Sequence, residues 1–199
     1  MTIPIILASA SPRRRQLLEM LGIAVVVRPS KIPEILAPGE SPAGYSARLA
    51  RAKASAVTGD LVLAADTIVV LQGEVLEKPD DRAHALTILR KLQGQTHQVV
   101  TSVALKYHER IDILTDTTDV TFRSASDETL AAYIETGEPM DKAGAYGIQG
   151  FGAALVERVE GDFFGVMGLP VRLVLDLLTQ AGIRYVFGEG LTPARPGPA

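Results

Sequence analysis

The stretch ILASASPRRRQLLEMLG, residues 6–22, joins an apolar run to a helical spacing of leucines and decides how the chain begins to fold. The apolar run over residues 3–8 predicts a buried strand. Ser11 is a favoured N-cap residue, and Pro12 suits the first position of a helix. The stretch therefore predicts a strand that turns directly into a helix.

This strand-to-helix junction also has the features of an anion site. Unpaired backbone N–H groups and the positive end of the helix dipole point outward there. Three consecutive arginines, Arg13, Arg14 and Arg15, add positive charge at the same point. Two interpretations stay open: the arginines bind an anion, or they are solvated or paired with Glu19 at an ordinary corner.

The protein has 199 residues, of which 47% are hydrophobic and 22% charged. This composition predicts one globular domain, or two small lobes that share a core. The net charge of −3 and the aromatic content of 5% argue against a general binder of nucleic acids or of anionic membranes. Because the chain has no cysteine, disulfides, thiolate catalysis and thiolate metal sites are excluded.

Helices and strands alternate irregularly along the rest of the chain, with a hairpin in the middle. The patterns predict helices near residues 42–57, 81–91, 126–137 and 170–180, and strands near residues 24–28, 61–71, 74–77, 98–107, 111–122, 154–159 and 184–187. We therefore expect a mixed α/β sheet rather than a regular doubly wound one. No apolar run reaches about 18 residues, so we expect no membrane span. Residues 188–199 are rich in proline and glycine, which predicts a disordered tail.

The segment LVLAADTIVV, residues 61–70, has the pattern of a strand buried on both faces, yet it contains Asp66. An unpaired carboxylate at such a position is costly. Asp66 must therefore meet a cation or a metal, or lie at the open end of the strand. Two roles stay open for it: a structural cap of a neighbouring turn, or a metal ligand or general base.

Basic residues recur at the ends of predicted elements and beside glycines. Each alone suits a solvated surface position, whereas the set together suits a compact polyanion: Arg13, Arg14, Lys53, Lys78 and Lys142. The glycine-rich segment over residues 141–152 matches neither the P-loop nor the dinucleotide-binding pattern. Its glycines still allow a close approach of the backbone to a ligand. The three histidines occur singly, and we predict no metal or catalytic role for them.

Five short motifs in combination give the chain a resemblance to a known family. They are LASASPRR (7–14), AADTIV (64–69), EKP (77–79), DKAGAYGIQG (141–150) and VMGLP (166–170). Over residues 4–187 the chain resembles the Maf family of nucleoside triphosphate pyrophosphatases. The resemblance implies a single Maf-like domain over residues 1–187, with a bent mixed β-sheet flanked by helices and two lobes around a central cleft, as in the inosine triphosphatase-like proteins.

The resemblance also implies an activity: hydrolysis of a nucleoside triphosphate to the monophosphate and pyrophosphate, with a divalent metal cation such as Mg²⁺, Mn²⁺ or Co²⁺. It implies a cytoplasmic role in house-cleaning of nucleotide pools, a link to inhibition of septum formation, and a homodimer. No nucleic acid or membrane is expected as a partner.

The segment DKAGAYGIQG resembles the branch of the family that acts on dTTP and UTP, with modified pyrimidine triphosphates as further candidates. Two alternatives stay open. One is the sister branch, which hydrolyses 7-methyl-GTP. The other is a nucleotide-binding regulator of septum formation without catalysis.

By the same resemblance, Asp66 takes the catalytic acidic position, and Glu34 and Asp66 are the expected metal ligands. The expected substrate-binding and specificity residues are Arg13, Thr67, Gln149, Ser9, Arg14, Lys53, Lys78 and Lys142. We hypothesise that Asp66 either binds the metal or orients the attacking water. The amide of Gln149 can donate and accept, which suits the acceptor–donor–acceptor edge of thymine and uracil.

Overall fold

A computed structural model of the protein describes residues 2–193. Among these residues, seven strands form a sheet in the order β2-β1-β3-β5-β6-β7, with β4 paired to β3, and β8 and β9 form a separate two-stranded sheet. The strands are β1 Ile5–Leu7, β2 Val25–Val27, β3 Leu61–Leu71, β4 Glu74–Leu76, β5 Thr96–Tyr107, β6 Arg110–Phe122, β7 Val156–Glu160, β8 Ile183–Val186 and β9 Gly190–Pro193. The helices are α1 Pro12–Met20, α2 Pro42–Ser55, α3 Arg82–Leu92, α4 Asp127–Glu135, α5 Phe163–Met167 and α6 Val171–Gln180.

Parallel and antiparallel pairs occur in the same sheet. Strand β1 pairs in parallel with both β2 and β3. Strand β4 is antiparallel to β3, and β7 is antiparallel to β6. The expected mixed α/β sheet is therefore confirmed. Within residues 2–193, no helix combines the length and the apolar character needed to cross a bilayer.

The chain divides into two compact units. Unit 1 contains the residues up to Asp66, the segment Ser102–Thr115 and the residues from Gly168 onward, and unit 2 contains Thr67–Thr101 and Asp116–Met167. We describe each unit by itself. The interpretation of residues 1–187 as a single domain stays a prediction.

In unit 1, helix α2 packs on the strands through small side chains. Ala50 and Ala54 of α2 are fully buried in one cluster with Ala64 of β3 and Ala104 of β5. Because alanine is short, the helix backbone lies close to β3. Lys53, on the same buried side of α2, is thereby brought over the strand that contains Asp66.

In unit 2, helices α3 and α4 contact each other and supply apolar side chains to the core, including Leu89 and Leu130, both fully buried. The segment that follows α4 is fixed to the end of the sheet. Gly144 has a φ of +70°, and a Cβ there would lie 2.7 Å from Val69 Cγ2. Its N–H donates to Glu77 O at 3.2 Å. Only glycine fits this turn, and the contact places residues 142–149 beside the EKP motif.

Ser11 caps α1, as the sequence predicts, and Ser126 caps α4, at the start of the range predicted for that helix. The expectation of a disordered tail from Gly188 is wrong for residues 190–193. They form β9, which pairs antiparallel with β8, because Leu191 is 1% exposed and its carbonyl accepts from Ile3 N at 2.8 Å. The rest of the predicted tail, residues 194–199, lies outside the described residues.

Candidate functional site

Asp66 is the centre of a cluster of charged side chains in unit 1. It is 4% exposed in strand β3, as the apolar pattern of the strand requires. Lys53 Nζ donates to Asp66 Oδ1 at 2.7 Å, and Lys53 is itself 8% exposed. The buried carboxylate therefore has the cationic partner that its burial demands.

A second carboxylate contacts the same ammonium group. Glu34, in the loop before α2, has its Oε1 2.7 Å from Lys53 Nζ, and its side chain is 41% exposed. Lys53 therefore joins two carboxylates that lie far apart in the sequence. In this group of three side chains, one positive charge contacts two negative charges.

The second oxygen of Asp66 gives a test of the expected metal site. Within residues 2–193, Asp66 Oδ2 is buried and has no hydrogen-bond partner. Such an oxygen, on a carboxylate that shares Lys53 with Glu34, suits a hard divalent cation. No group of three or more His, Cys, Asp or Glu residues with metal-binding geometry occurs in the described part of the chain. The donor set therefore fits a cation held by two carboxylates, with substrate and water completing its coordination, and does not form an all-protein cage.

Arg14 of helix α1 is fixed by the backbone of a distant motif. Its Nε donates to Gly168 O at 2.7 Å, and its Nη1 donates to Ser9 Oγ at 3.2 Å. Gly168 belongs to the VMGLP motif, whose contribution is thus a carbonyl group. The side-chain pattern of that motif gave no indication of this contact.

The electrostatic surroundings of Arg14 place it near the acidic pair. Burial lowers the pKa of the Arg14 guanidinium, and the carboxylate of Asp66 opposes this shift. Arg13 lowers the pKa further and Glu34 raises it. The charges of Arg13, Asp66 and Glu34 therefore all act on the Arg14 guanidinium.

Arg15 differs from its two neighbours. Its Nε donates to Glu19 Oε1 at 2.7 Å on the exposed side of α1. Arg15 is therefore paired with Glu19, whereas Arg14 is anchored to Gly168 O and Ser9. The role of Arg13 stays a prediction.

Ser46 is a residue of this cluster that sequence reasoning missed. It is fully buried in α2, donates to Asp66 O at 3.1 Å and accepts from Ser102 N at 3.2 Å. Its hydroxyl therefore holds the main chain of Asp66. The available signal was its position seven residues before Lys53, which places both residues on one face of a helix.

Unit 2 contains a second group of expected site residues, in the segment after α4. Lys142 Nζ donates to Glu138 O and to Asp141 Oδ1, both at 2.5 Å. The stem of Lys142 packs on the loop, because a Cβ on Gly147 would lie 3.0 Å from Lys142 Cε. Gln149 is exposed two residues later.

The remaining expected residues of unit 2 lie on neighbouring segments. Lys78 is exposed and follows Glu77, whose carbonyl binds Gly144 N. Thr67 is half-buried in β3, and its Oγ1 lies 3.0 Å from Thr101 Oγ1. Six of the expected site residues thus lie in unit 1: Ser9, Arg13, Arg14, Glu34, Lys53 and Asp66. Three others lie along connected segments of unit 2: Lys78, Lys142 and Gln149.

A buried histidine supports this loop, a structural role that the sequence patterns did not indicate. His97 Nε2 lies 2.8 Å from Tyr146 OH, and the two residues are 2% and 5% exposed. Phe122 contacts both rings edge-on. Burial lowers the pKa of His97 to about 4, with Asp119 opposing the shift, so the imidazole is neutral at pH 7. Its function is structural, as a hydrogen-bond partner of a loop tyrosine.

Comparison with known proteins shows which sequences this chain is similar to. The family model described as "Maf-like protein" matches residues 4–181. A protein of Koribacter versatilis (strain Ellin345) named "dTTP/UTP pyrophosphatase" is 49% identical over 183 residues, which is 90% of this chain and 95% of the relative. A relative of the same name from Escherichia coli O6:K15:H31 is 51% identical over 179 residues, 87% of this chain and 91% of the relative.

A solved structure agrees on the fold. A HAM1 protein from Coxiella burnetii has a TM-score of 0.53 at 16% identity, covering 90% of this chain and all of that one. At this identity the match indicates a shared fold alone. The family model, in contrast, spans the α1 arginines, the Asp66 strand and the loop with Lys142 and Gln149. The resemblance predicted from five short motifs is therefore confirmed, and the chain belongs to the Maf family.

Proposed function

We propose that the protein is a nucleoside triphosphate pyrophosphatase that hydrolyses dTTP and UTP to the monophosphate and pyrophosphate. Two relatives at 49% and 51% identity bear the name dTTP/UTP pyrophosphatase, which supports a role in house-cleaning of nucleotide pools. The observation in the molecule that carries the proposal is the buried pair of Lys53 with Asp66, joined by Glu34.

The charge balance of unit 1 suits the phosphate chain of a nucleotide. A triphosphate has close to four negative charges at neutral pH, and arginine guanidinium groups bind phosphate oxygens through two parallel N–H donors. Arg13 and Arg14 lie in the first turn of α1, where the helix dipole adds partial positive charge. Because Arg14 is anchored to Gly168 O and Ser9, it is pre-oriented and loses little side-chain entropy on binding.

The two oxygens of Asp66 have different tasks in this proposal. Oδ1 is held by the Lys53 ammonium, which fixes the orientation of the carboxylate. Oδ2 is left to accept a hydrogen of the attacking water, or to bind the cation. A divalent cation held by Asp66 and Glu34 would neutralise phosphate charge and lower the pKa of a bound water.

The reaction then follows from the position of this carboxylate. The water oxygen forms a bond to the α-phosphorus, and the bond from the α-phosphorus to the bridging oxygen breaks. Pyrophosphate leaves with the electron pair of that bond, and the proton of the water passes to Asp66 or to solvent. In unit 2, Lys78, Lys142 and Gln149 stay predicted substrate-binding residues, the lysines for phosphate and Gln149 for the base.

A panel of triphosphates tests the proposal, with pyrophosphate release measured with and without a chelator and with Mg²⁺, Mn²⁺ and Co²⁺. We expect dTTP and UTP to be the best substrates and the chelator to stop turnover. Asp66→Asn should abolish turnover and retain nucleotide binding, while Asp80→Asn, at a side chain 91% exposed, should act like the wild type.

Three results would contradict the proposal. A clear preference for 7-methyl-GTP would assign the chain to the sister reaction. Nucleotide binding without hydrolysis of any triphosphate would favour the non-catalytic regulator. Full turnover by Asp66→Asn would remove Asp66 from the chemistry. The homodimer stays a prediction, which the mass of the protein in solution tests.

A further inference from the structure

The exposed residue Gln149 lies in a loop whose main chain is held on both sides. Gly147 N, before it, donates to Tyr133 OH at 3.1 Å. Phe151 N, after it, donates to Glu138 Oε2 at 2.8 Å, and Gly152 N donates to Glu138 Oε1 at 2.9 Å. The main chain is therefore fixed within three residues of Gln149 in either direction.

Both anchors lead to Glu138. The hydroxyl of Tyr133, which accepts from Gly147 N, donates its own hydrogen to Glu138 Oε1 at 2.9 Å. Glu138 thus receives three donors on two oxygens, which a carboxylate can do and an amide cannot. Burial raises the pKa of Glu138, but the hydrogen bonds from Gly152, Phe151 and Tyr133, together with the charge of Lys142, outweigh it and lower the pKa below the ordinary value.

The loop is shaped to fit this carboxylate. Gly150 has a φ of +110°, and a Cβ there would lie 2.4 Å from Glu138 Oε2. At Gly152 a Cβ would lie 2.6 Å from Tyr133 OH. The glycines that follow Gln149 therefore allow the main chain to close onto Glu138 and Tyr133.

Lys142 also binds Glu138, but through a main-chain atom of Glu138. Its Nζ donates to the main-chain oxygen of Glu138, not to the carboxylate. A change of the Glu138 side chain therefore affects the Gln149 loop and leaves the main-chain contact of Lys142 available. The two contacts can be separated by mutation.

We propose that Glu138 is a positioning residue for base recognition, which holds the loop over residues 147–152 in the shape that presents the Gln149 amide to the nucleotide base. This inference rests on the proposed function, because it takes Gln149 as the residue that reads the base. Glu138 itself does not contact the substrate. Its effect is on the selection of the pyrimidine and not on the chemistry at phosphorus.

Glu138→Gln tests the proposal. The amide nitrogen would face an N–H or O–H donor, so at least one anchor is lost. We expect the KM for dTTP and UTP to rise about tenfold, as for the loss of one hydrogen bond to a charged group. The preference for dTTP over dCTP should fall by a similar factor, while kcat stays close to wild type.

Inorganic tripolyphosphate separates phosphate binding from base recognition. As a competitive inhibitor without a base, it should keep its inhibition constant in Glu138→Gln. Glu135→Gln is the matched control, because Glu135 is exposed one turn earlier and pairs only on the surface with Arg82. We expect this control to keep both the KM and the base preference.

A second variant disturbs the contact between the loop and Glu138 by a change in the loop. Gly150→Ala should reproduce the loss of base preference, whereas Gly73→Ala should not. Gly73 has a comparable positive φ of +87°, but a Cβ there meets no atom within 4 Å. The comparison separates the contact with Glu138 from backbone strain in general.

An equal loss of dTTP turnover, dCTP turnover and tripolyphosphate inhibition in Glu138→Gln and Gly150→Ala would overturn the inference, because it would show a general structural role. An unchanged base preference in both variants would also overturn it. If the wild type hydrolyses no triphosphate, the proposed function fails first, which is a different result from either of these.

Discussion

The charged cluster of unit 1 and the loop over residues 147–152 of unit 2 are stabilised by different kinds of contact. In unit 1, side chains from a strand, a helix and a loop neutralise one another, as in the contacts of Lys53 with Asp66 and Glu34. In unit 2, one carboxylate binds backbone N–H groups of a loop rich in glycine. The cluster in unit 1 therefore depends on the pairing of charges, whereas the loop in unit 2 depends on the shape of its backbone. Different mutations should disturb the two.

The largest effect is expected for Lys53→Met. The change leaves the Asp66 carboxylate buried without its cation, which should lower the free energy of unfolding by about 3–5 kcal/mol. Urea unfolding followed by circular dichroism measures this loss. The double variant Lys53→Met with Asp66→Asn should regain part of the stability, because it removes the uncompensated charge. A double variant no more stable than Lys53→Met would contradict this account.

A pH dependence is expected next, from the histidine of unit 2. Burial lowers the pKa of His97 to about 4 in the folded state, from an ordinary value of 6.5. The unfolded chain therefore binds a proton more readily, so the free energy of unfolding should fall as the pH decreases from about 6.5 to 4, by about 3 kcal/mol in total. Urea titrations across this range measure the slope, and His97→Gln should flatten it. An equal slope in both proteins would assign the effect to other groups.

A smaller loss is expected for Gly152→Ala, which tests backbone shape without a change of charge. The new Cβ would lie 2.4 Å from Gly147 O, a rigid backbone atom. We expect a loss of about 1–3 kcal/mol from overpacking, measured by urea unfolding. The control is Gly44→Ala in α2, whose nearest contact is the side chain of Ser41 at 3.0 Å. A loss as large in the control would show that the effect is not specific to the loop.

The smallest effect is expected for Arg15→Ala. Its ion pair with Glu19 is exposed, with side chains 57% and 45% accessible. Such pairs contribute less than about 0.5 kcal/mol. Turnover of dTTP should also stay within about twofold of wild type, whereas Arg14→Ala should reduce it strongly, since Arg14 is anchored at the charged cluster. Equal losses for the two variants would remove the distinction between these neighbouring arginines.

The sequence predicted the parts of the fold that local patterns encode. Strand β3 was predicted with its observed bounds, because an apolar run of this length has few alternatives. The cap of α1 was also predictable, since Ser11 and Pro12 are favoured at the first positions of a helix. The strand in the predicted tail was not predictable, because β9 depends on pairing with β8 and not on its own composition.

The candidate site was predictable to the extent that it uses charged side chains at unusual positions. Asp66 in an apolar strand required a cation, and Lys53 supplies it. Glu138 was missed because its partners are backbone N–H groups, which no residue type in the sequence marks. Ser46 was missed for the same reason, since it binds the main chain of Asp66.

The bond from Arg14 to Gly168 joins residues 154 positions apart in the chain. Ile3 N likewise binds Leu191 O, so both ends of the described chain contribute to unit 1. During synthesis on the ribosome, helix α1 is made early, but Arg14, which we propose binds phosphate, lacks this anchor until Gly168 has emerged. Chains that terminate before Gly168 should therefore lack a fixed Arg14 side chain.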